Sequence, residues 1–269
     1  MRSNRNKSER IFIIKKVGIT ILFIAGIVVA TALFMSHDAP APKAKVSQTT
    51  SETTPAKQTT ESSAEALPDV SPTDWQLVLV SPEHKISKEV SANQLVTVDG
   101  GQQIDRRIQQ PYEELVAAAK KAGIQLKLIS AFRSVSDQTS VFNTRVAQLM
   151  SRENLSEEAA KKRAMQTMTE PGYSEHHTGL AIDVVDQEWL ASNPSMILDE
   201  SYSEHTGAKW LQENARRFGF IVRYPDGKEA ITKITYEPWH LRYVGEESAE
   251  YIEAHHITFE EFIRELTEK

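Results

Sequence analysis

The chain contains no cysteine among its 269 residues. Disulfides, a thiol nucleophile and lipid attachment through an N-terminal cysteine are therefore excluded, and any metal site must use histidine and carboxylate ligands. Internal repeats are also lacking, apart from a partial copy of one motif at 203–207. Hydrophobic residues make up 40% of the chain and charged residues 25%, which is ordinary for a globular protein.

Beyond the N-terminal segment, acidic residues outnumber basic ones. Residues 1–43 carry seven Lys or Arg against two acidic residues, while the whole chain has a formal net charge of −6, so the remainder holds −11. An acidic surface argues against nucleic acid as a partner. It is consistent with a domain that faces the outside of the cell.

One run of the sequence, residues 17–34, lacks charge over a length that just crosses a bilayer core. It follows a basic cytoplasmic segment at 1–16, so the positive-inside rule places the rest of the chain outside. We interpret the run as a retained signal anchor, because it is longer than the usual apolar core of a signal peptide and no small-x-small cleavage site follows it. Cleavage within the run, at Ala30-Thr31-Ala32, is the alternative. The predicted localisation is the cell membrane, single-pass, with the domain that follows on the extracellular side.

Residues 35–74 are rich in Pro, Ala, Ser, Thr, Lys and Glu and nearly free of large apolar side chains. Such a segment cannot bury enough surface to offset its ordering entropy, so it predicts a disordered extracellular linker. Residues 75–269 are then expected to form one folded domain with a single sizeable core. We expect this domain to be a monomer.

The hydrophobic pattern of the domain predicts early helices and short late strands. Helices are expected at 110–122, 136–150, from about 154, at 206–218 and after Thr258; strands are expected at 75–80, 127–130, 180–185, 220–222, 231–234 and 241–244, with a hairpin turn at 225–227. This order, without regular alternation, is typical of an α+β fold with helices packed around a mainly antiparallel sheet.

Two separate motifs together supply the ligands of a metal site in a central cleft. The first contains His176 and Asp183, seven residues apart across a loop and a predicted strand, and the second is Glu237-Pro238-Trp239-His240. Two imidazoles and a carboxylate suit a catalytic zinc ion that keeps its fourth position for water. The remaining acid, Glu237, is expected to take a proton from that water and pass it to the leaving amine.

The neighbouring histidines and acids are given structural roles. His177 cannot easily face the same ion as the residue before it, so it is expected to pack or hydrogen-bond nearby. Asp186 is an alternative to Asp183 as a ligand, but it lies off the motif's spacing. His205, in the partial copy of the first motif, is expected at a helix start, and His255-His256 is expected on the surface.

The pattern Ser174-x-His176-x-x-Gly179-x-Ala181-x-Asp183, followed about 54 residues later by Glu237-x-Trp239-His240, resembles that of the VanY-type D-alanyl-D-alanine carboxypeptidases. The resemblance covers roughly residues 75–244 and includes Ser130-Ala131-Phe132-Arg133-Ser134 and Gln138. It implies a zinc-dependent carboxypeptidase that removes the terminal D-alanine from peptidoglycan stem peptides.

The resemblance also implies residue roles. The zinc ligands, for one ion per domain, would be His176, Asp183 and His240. Glu237 would be the general base and acid. Arg133 would stabilise the oxyanion, or alternatively receive the terminal carboxylate. Ser174 and Gln138 are candidate hydrogen-bond donors to the substrate.

Other functional interpretations stay open. The same zinc site would also serve L,D-carboxypeptidase cleavage of tetrapeptide stems or peptidoglycan endopeptidase cleavage. A zinc-stabilised wall-binding module without turnover is the non-enzyme alternative, and the presence of both Glu237 and Arg133 argues against it. Arg223 and Tyr224, ahead of the second motif, are candidates either for contact with a substrate carboxylate or for a surface role.

Overall fold

The computed structural model describes residues 66–269. The predicted signal anchor at 17–34 and the greater part of the predicted linker at 35–74 lie outside the described residues. Between residues 66 and 269, no helix is both long enough and apolar enough to span a bilayer.

Helices and short strands alternate irregularly along this region. The helices are α1 (Gln109–Lys121), α2 (Val135–Glu153), α3 (Glu157–Ala164), α4 (Gln187–Ser192), α5 (Thr206–Asn214), α6 (Glu229–Thr232), α7 (Glu246–His255) and α8 (Phe259–Glu268). The strands are β1 (Leu95–Thr97), β2 (Gln103–Asp105), β3 (Leu126–Ser130), β4 (Ala181–Asp186), β5 (Phe220–Val222) and β6 (His240–Tyr243). A 3-10 turn over Glu175–Thr178 precedes β4.

The centre of the domain is a four-stranded antiparallel sheet in the order β3-β4-β6-β5. The pairing of β4 with β6 places Asp183 directly opposite His240. Strands β1 and β2 form a separate antiparallel pair. The predicted α+β fold with a mainly antiparallel sheet is therefore confirmed, and the sheet brings together two residues from motifs that are distant in sequence.

The main hydrophobic core lies where helices cover this sheet. Ile182 and Val184 of β4 pack there with Leu115 of α1 and Leu211 of α5, and all four side chains are fully buried. Full burial of such an aliphatic side chain is worth about 1.5–3 kcal/mol. Since all six residues of β4 are buried, the strand that carries Asp183 is fixed on every side.

The C-terminal helix α8 is placed by its cap and by its apolar face. Thr258 and Glu261 form a capping box at the start of this helix, which the sequence places after Thr258. Phe259 and Phe262 of α8 pack in a second core. This packing brings Glu260 next to Arg223, the residue that follows β5, and the buried Arg223 guanidinium donates two hydrogen bonds to it.

Several predicted boundaries need small corrections. Ser134 rather than Ser136 caps α2, because its side chain accepts a hydrogen bond from the Asp137 amide. Asn154 ends α2 in a left-handed conformation instead of starting the next helix, and Ser156 caps α3. The strands predicted at 127–130, 180–185, 220–222 and 241–244 correspond to β3, β4, β5 and β6.

Two predicted strands are wrong. The first half of the run at 231–234 lies in the short helix α6, and Lys233, with φ +65°, caps the end of that helix. The run at 75–80 begins as a 3-10 turn over Trp75–Leu77. A short apolar run does not distinguish a strand from a buried turn by its periodicity. Here Leu77 is buried in the second core without joining the sheet.

The folded region also begins earlier than the predicted boundary at Trp75. Pro68 is buried, and Leu67 and Val70 pack against the second core. The end of the predicted linker at 74 is therefore too late, because the few apolar residues after Glu65 cover the C-terminal helices.

Candidate metal centre

Three buried side chains meet beside the two inner strands of the central sheet. His176 of the 3-10 turn, Asp183 of β4 and His240 of β6 each offer a ligand atom, and these atoms lie within 4.8 Å of one another. Asp183 Oδ2 is 3.3 Å from His176 Nε2, and Asp183 Oδ1 is 3.0 Å from His240 Nδ1. The structure thus brings together the three residues that the sequence predicts as metal ligands.

Gly179 allows the turn that carries His176 to run directly into β4. Its φ is +69°, and a Cβ atom at this position would lie 2.9 Å from the backbone nitrogen of Asp105. That nitrogen donates a hydrogen bond to the Gly179 carbonyl. A side chain would therefore combine backbone strain with a collision against the backbone, which explains the glycine between the two ligands.

Backbone carbonyl groups fix the tautomers of the two adjacent histidines. His176 Nδ1 lies 2.6 Å from the Ala131 carbonyl and must donate to it, which leaves the Nε2 lone pair directed at the centre. His177 uses both ring nitrogens elsewhere: Nδ1 donates to the Arg133 carbonyl, and Nε2 accepts from the Gly172 amide. The prediction that His177 hydrogen-bonds nearby is confirmed.

A buried cluster of charges lies behind His240. Glu175 Oε2 is 3.5 Å from His240 Nε2, while Glu175 Oε1 accepts hydrogen bonds from Arg223 Nε at 2.7 Å and Arg242 Nη1 at 2.6 Å. The side chains of Glu175, Arg223 and Arg242 have no exposed surface. Arg223 also donates to both carboxylate oxygens of Glu260. We call these four residues the buried charge cluster.

The cluster determines the charge at the back of the site. Burial alone would raise the pKa of Glu175, but the guanidinium groups of Arg223 and Arg242 hold it well below its usual range. The carboxylate therefore stays ionised and faces the Nε2–H group of His240 as an acceptor, which leaves the Nδ1 lone pair for a metal ion.

His240 itself is strongly affected by these acids in the metal-free protein. Burial acts to lower its pKa, but the close carboxylates of Asp183 and Glu175 raise it to about 10. Binding of a metal ion must therefore displace a proton from His240 at neutral pH. The pKa of Asp183 lies well below its usual range, despite burial, because of His176 and His240.

Glu237 lies beside the ligand atoms without being one of them. Its Oε2 is 3.6 Å from His240 Nδ1, and its side chain lines the adjoining cavity. Burial, together with the negative charges of Asp183 and Glu175, raises the pKa of Glu237 to about 8. Beside its three candidate ligands, the site thus contains a carboxyl group whose affinity for a proton is far above the ordinary value.

Arg133 lines the same cavity and is held in place by its neighbours. Its Nη1 donates to Gln138 Oε1 at 2.7 Å, and its Nη2 donates to Ser130 Oγ at 2.8 Å. Gln138 Nε2 in turn donates to the Thr169 carbonyl. Gln138 therefore orients Arg133, and because it also lines the cavity, its role as a substrate donor stays a prediction. Ser174 is buried and lines the cavity.

The buried charge cluster contains the functional residues that the sequence reasoning missed. The prediction of a surface or substrate-contact role for Arg223 is wrong, because its side chain is fully buried and paired with two carboxylates. Tyr224 lines the cavity, with its ring centroid 4.9 Å from that of His240. One signal was available: Arg223 and Arg242 occupy apolar stretches around predicted strands, where a buried guanidinium requires carboxylate partners.

The remaining candidate ligands take structural roles. Asp186 Oδ1 accepts hydrogen bonds from the first amides of α4, and its Oδ2 lies 2.7 Å from His205 Nδ1. Asp186 is therefore not an alternative ligand. His205 precedes α5, as predicted, and the exposed pair at 255–256 ends α7.

The donor set and its spacing fit a zinc ion. Zinc bonds of about 2.0–2.1 Å in a tetrahedron place neighbouring ligand atoms about 3.3 Å apart. One ligand atom from each of the three residues lies within 4.8 Å of the others here, close enough for one ion to draw them together. Asp183 Oδ1 is buried and has no hydrogen-bond partner between residues 66 and 269, so an ion at this point would satisfy it. Two imidazoles with one carboxylate suit zinc better than magnesium or calcium.

Comparison with known proteins agrees with this geometry. The profile of the VanY family, described as D-alanyl-D-alanine carboxypeptidase, matches residues 101–246. The YodJ protein of Bacillus subtilis (strain 168) is 34% identical over 71% of this chain and 67% of its own length. A D-alanyl-D-alanine carboxypeptidase of Enterococcus faecalis (strain ATCC 700802 / V583) is 33% identical over 73% of this chain and 68% of its own length.

Three solved structures are similar over the same region. A mutant of the vancomycin-resistance D,D-pentapeptidase VanY in complex with Zn(II) has a TM-score of 0.59 at 31% identity, covering 71% of this chain and 99% of that one. VanYB in complex with D-alanine-D-alanine has a TM-score of 0.63 at 32% identity, covering 73% and 100%. The LD-carboxypeptidase LdcB has a TM-score of 0.59 at 34% identity, covering 70% and 85%.

Removal of the Glu175 charge should weaken metal binding. We expect Glu175→Gln to lower zinc affinity by about 10- to 100-fold, because His240 loses the carboxylate that orients its ring and raises its basicity. Competition with a chromophoric chelator measures the affinity, and thermal unfolding of the metal-free protein reports the accompanying loss of stability.

Glu260→Gln is the matched control for this substitution. It removes one carboxylate from the same buried charge cluster without altering the group that faces His240, so its zinc affinity should stay within a few-fold of wild type. Equal zinc affinities for Glu175→Gln and Glu260→Gln would contradict the assigned role of Glu175.

Proposed function

Because the chain belongs to the VanY family of D-alanyl-D-alanine carboxypeptidases, we propose that it removes the terminal D-alanine from peptidoglycan stem pentapeptides at the centre formed by His176, Asp183 and His240. Similar solved structures hold Zn(II) in one case and D-alanine-D-alanine in another, which supports this assignment. The observation that carries it is the position of Glu237, a proton-binding carboxylate beside three zinc ligands in a cavity open to a peptide end.

Glu237 moves the proton in this reaction. Zinc supplies an activated water nucleophile and polarises the scissile carbonyl when it is bound. Glu237 accepts the proton of the attacking water and delivers it to the leaving amino group of D-alanine. Burial raises the pKa of Glu237 in the metal-free protein, and the positive charge of a bound zinc ion would lower it again, so that the carboxylate could accept the proton. The peptide nitrogen would otherwise leave as an unstable amide anion.

Arg133 stabilises the negative charge that develops on the carbonyl oxygen. We assign it this role rather than recognition of the terminal carboxylate because its backbone nitrogen donates to the His176 carbonyl, which places it next to the metal ligands. Gln138 and Ser130 hold the plane of the guanidinium fixed. Ser174 is a hydrogen-bond donor for the substrate from the same cavity wall.

L,D cleavage of tetrapeptide stems is the second candidate function. The LD-carboxypeptidase LdcB resembles this chain about as closely as VanYB does, so overall similarity does not separate the two activities. Both reactions, and an endopeptidase cleavage, would use the same zinc ligands and differ in how the cavity reads the residues at the scissile bond. The wall-binding module is disfavoured, because binding alone requires neither Glu237 nor Arg133.

Separate incubation of stem pentapeptide and tetrapeptide with the zinc-loaded full-length chain tests the proposal. We expect loss of one alanine from the pentapeptide alone, detected by mass spectrometry and abolished by a chelator. Loss of alanine from the tetrapeptide instead would change the assigned activity from D,D- to L,D-carboxypeptidase. An unchanged mass for both peptides would leave the endopeptidase and the binding module.

Replacement of the proton carrier should separate catalysis from metal binding. We expect Glu237→Gln to retain one zinc ion and to lose on the order of 10²-fold or more in kcat, because an amide cannot carry the proton. Released D-alanine and elemental analysis measure the two properties. Glu200→Gln alters another carboxylate of the cavity wall and serves as the control with near-normal kcat. A similar kcat for both variants would place the proton carrier elsewhere.

The topology suits a substrate in the cell wall. An uncharged run at 17–34 after a basic N-terminus supports a single membrane span with the catalytic domain on the extracellular side, joined to it by the polar segment at 35–65. Protease added to intact cells should then release the catalytic domain. Protection of the domain until the membrane is permeabilised would reverse the proposed orientation.

A further inference from the structure

The cavity beside the metal centre is larger than the residue removed in the proposed reaction. Its volume is about 620 Å³, within the range of sites that enclose a drug-sized ligand, whereas a terminal D-alanine would fill a small part of it. Helices α2 and α3 and the segment that follows α3 contribute Arg145, Arg163, Thr167 and Met168 to its wall. Residues upstream of the scissile bond therefore have a surface to contact.

Arg145 is a cation of this wall whose guanidinium donors are free to bind a substrate group. Its side chain is partly buried, and it forms neither a salt bridge nor a side-chain hydrogen bond with any other residue in the 66–269 region. Arg133 and Arg163, by contrast, each donate to a glutamine side chain. Partial burial of a guanidinium without a partner is costly, so its place in the cavity indicates an anionic group on the ligand.

The position of Arg145 on α2 sets its distance from the reacting end. Gln138 marks that end, because it binds Arg133, whose backbone is attached to the ligand-bearing turn. Seven residues separate Gln138 from Arg145, which corresponds to two helical turns, the same helix face and about 10 Å along the axis. A ligand group bound by Arg145 would thus lie about 10 Å from the reacting end.

A stem pentapeptide carries a free carboxylate at about this separation. An extended chain advances about 3.3–3.6 Å per residue, so three residues span about 10 Å. The third residue upstream of the scissile bond is D-glutamate, which is linked through its side chain and therefore keeps its α-carboxylate. We propose that Arg145 binds this carboxylate, so that the cavity distinguishes stems with the free acid from stems with the α-amide. The inference rests on the proposed function, since it takes the stem peptide as substrate.

Kinetics with two pentapeptides test this subsite. One peptide carries D-glutamate with a free α-carboxylate, and the other carries the corresponding α-amide. The full-length zinc-loaded protein should cleave the acid with a kcat/KM at least about 10-fold higher, as expected for a charge-assisted hydrogen bond. Arg145→Gln should lose this preference, because its kcat/KM should fall for the peptide with the free α-carboxylate and stay the same for the α-amide peptide. Its zinc content should be unchanged.

Arg152→Gln is the matched control. Arg152 is an exposed arginine in the last turn of the same helix and does not line the cavity, so this variant should retain the wild-type preference. Equal cleavage of acid and amide by wild type, or a preference that survives in Arg145→Gln, would overturn the subsite while leaving the proposed function intact. Cleavage of neither peptide by wild type would overturn the proposed function and the subsite with it.

Discussion

One carboxylate, that of Glu175, connects the parts of the domain on which the metal centre depends. It binds two fully buried arginines with one oxygen and faces His240 with the other. Through Arg223 it reaches α8, and through Arg242 it reaches the backbone carbonyls of Gln76 and Val78 near the start of the folded region. Removal of one partner from such a buried pair costs about 3–5 kcal/mol, so the orientation of His240 is tied to the integrity of both ends of the domain.

The sheet performs the complementary task of bringing the motifs together. Asp183 and His240 are register partners on adjacent strands, and His176 arrives through a glycine turn immediately before β4. Behind these residues lies the dry buried charge cluster, and in front lies a cavity that contains Glu237 and Arg133. The ligand set is thus held rigidly from one side while the other side remains accessible to a peptide.

The sequence predicted the site better than it predicted the elements around it. His176, Asp183, His240 and Glu237 stand in two short motifs with recognisable chemistry, and four sheet strands follow from their apolar patterns. The run at 231–234 was misread because a short apolar segment fits a helix as well as a strand. The pairing of Glu175 with Arg223 and Arg242 was not predicted, because it joins residues 48 and 67 positions apart in sequence. Only the folded sheet shows that these side chains share a buried space.

X-ray absorption spectroscopy of the zinc-loaded full-length protein tests the central claim most directly. The account predicts one zinc ion with nitrogen and oxygen ligands at about 2.0–2.1 Å and the scattering pattern of two imidazoles, reduced to one or lost with the metal in His240→Ala. Three or more imidazoles in wild type, or an unchanged spectrum in His240→Ala, would contradict it.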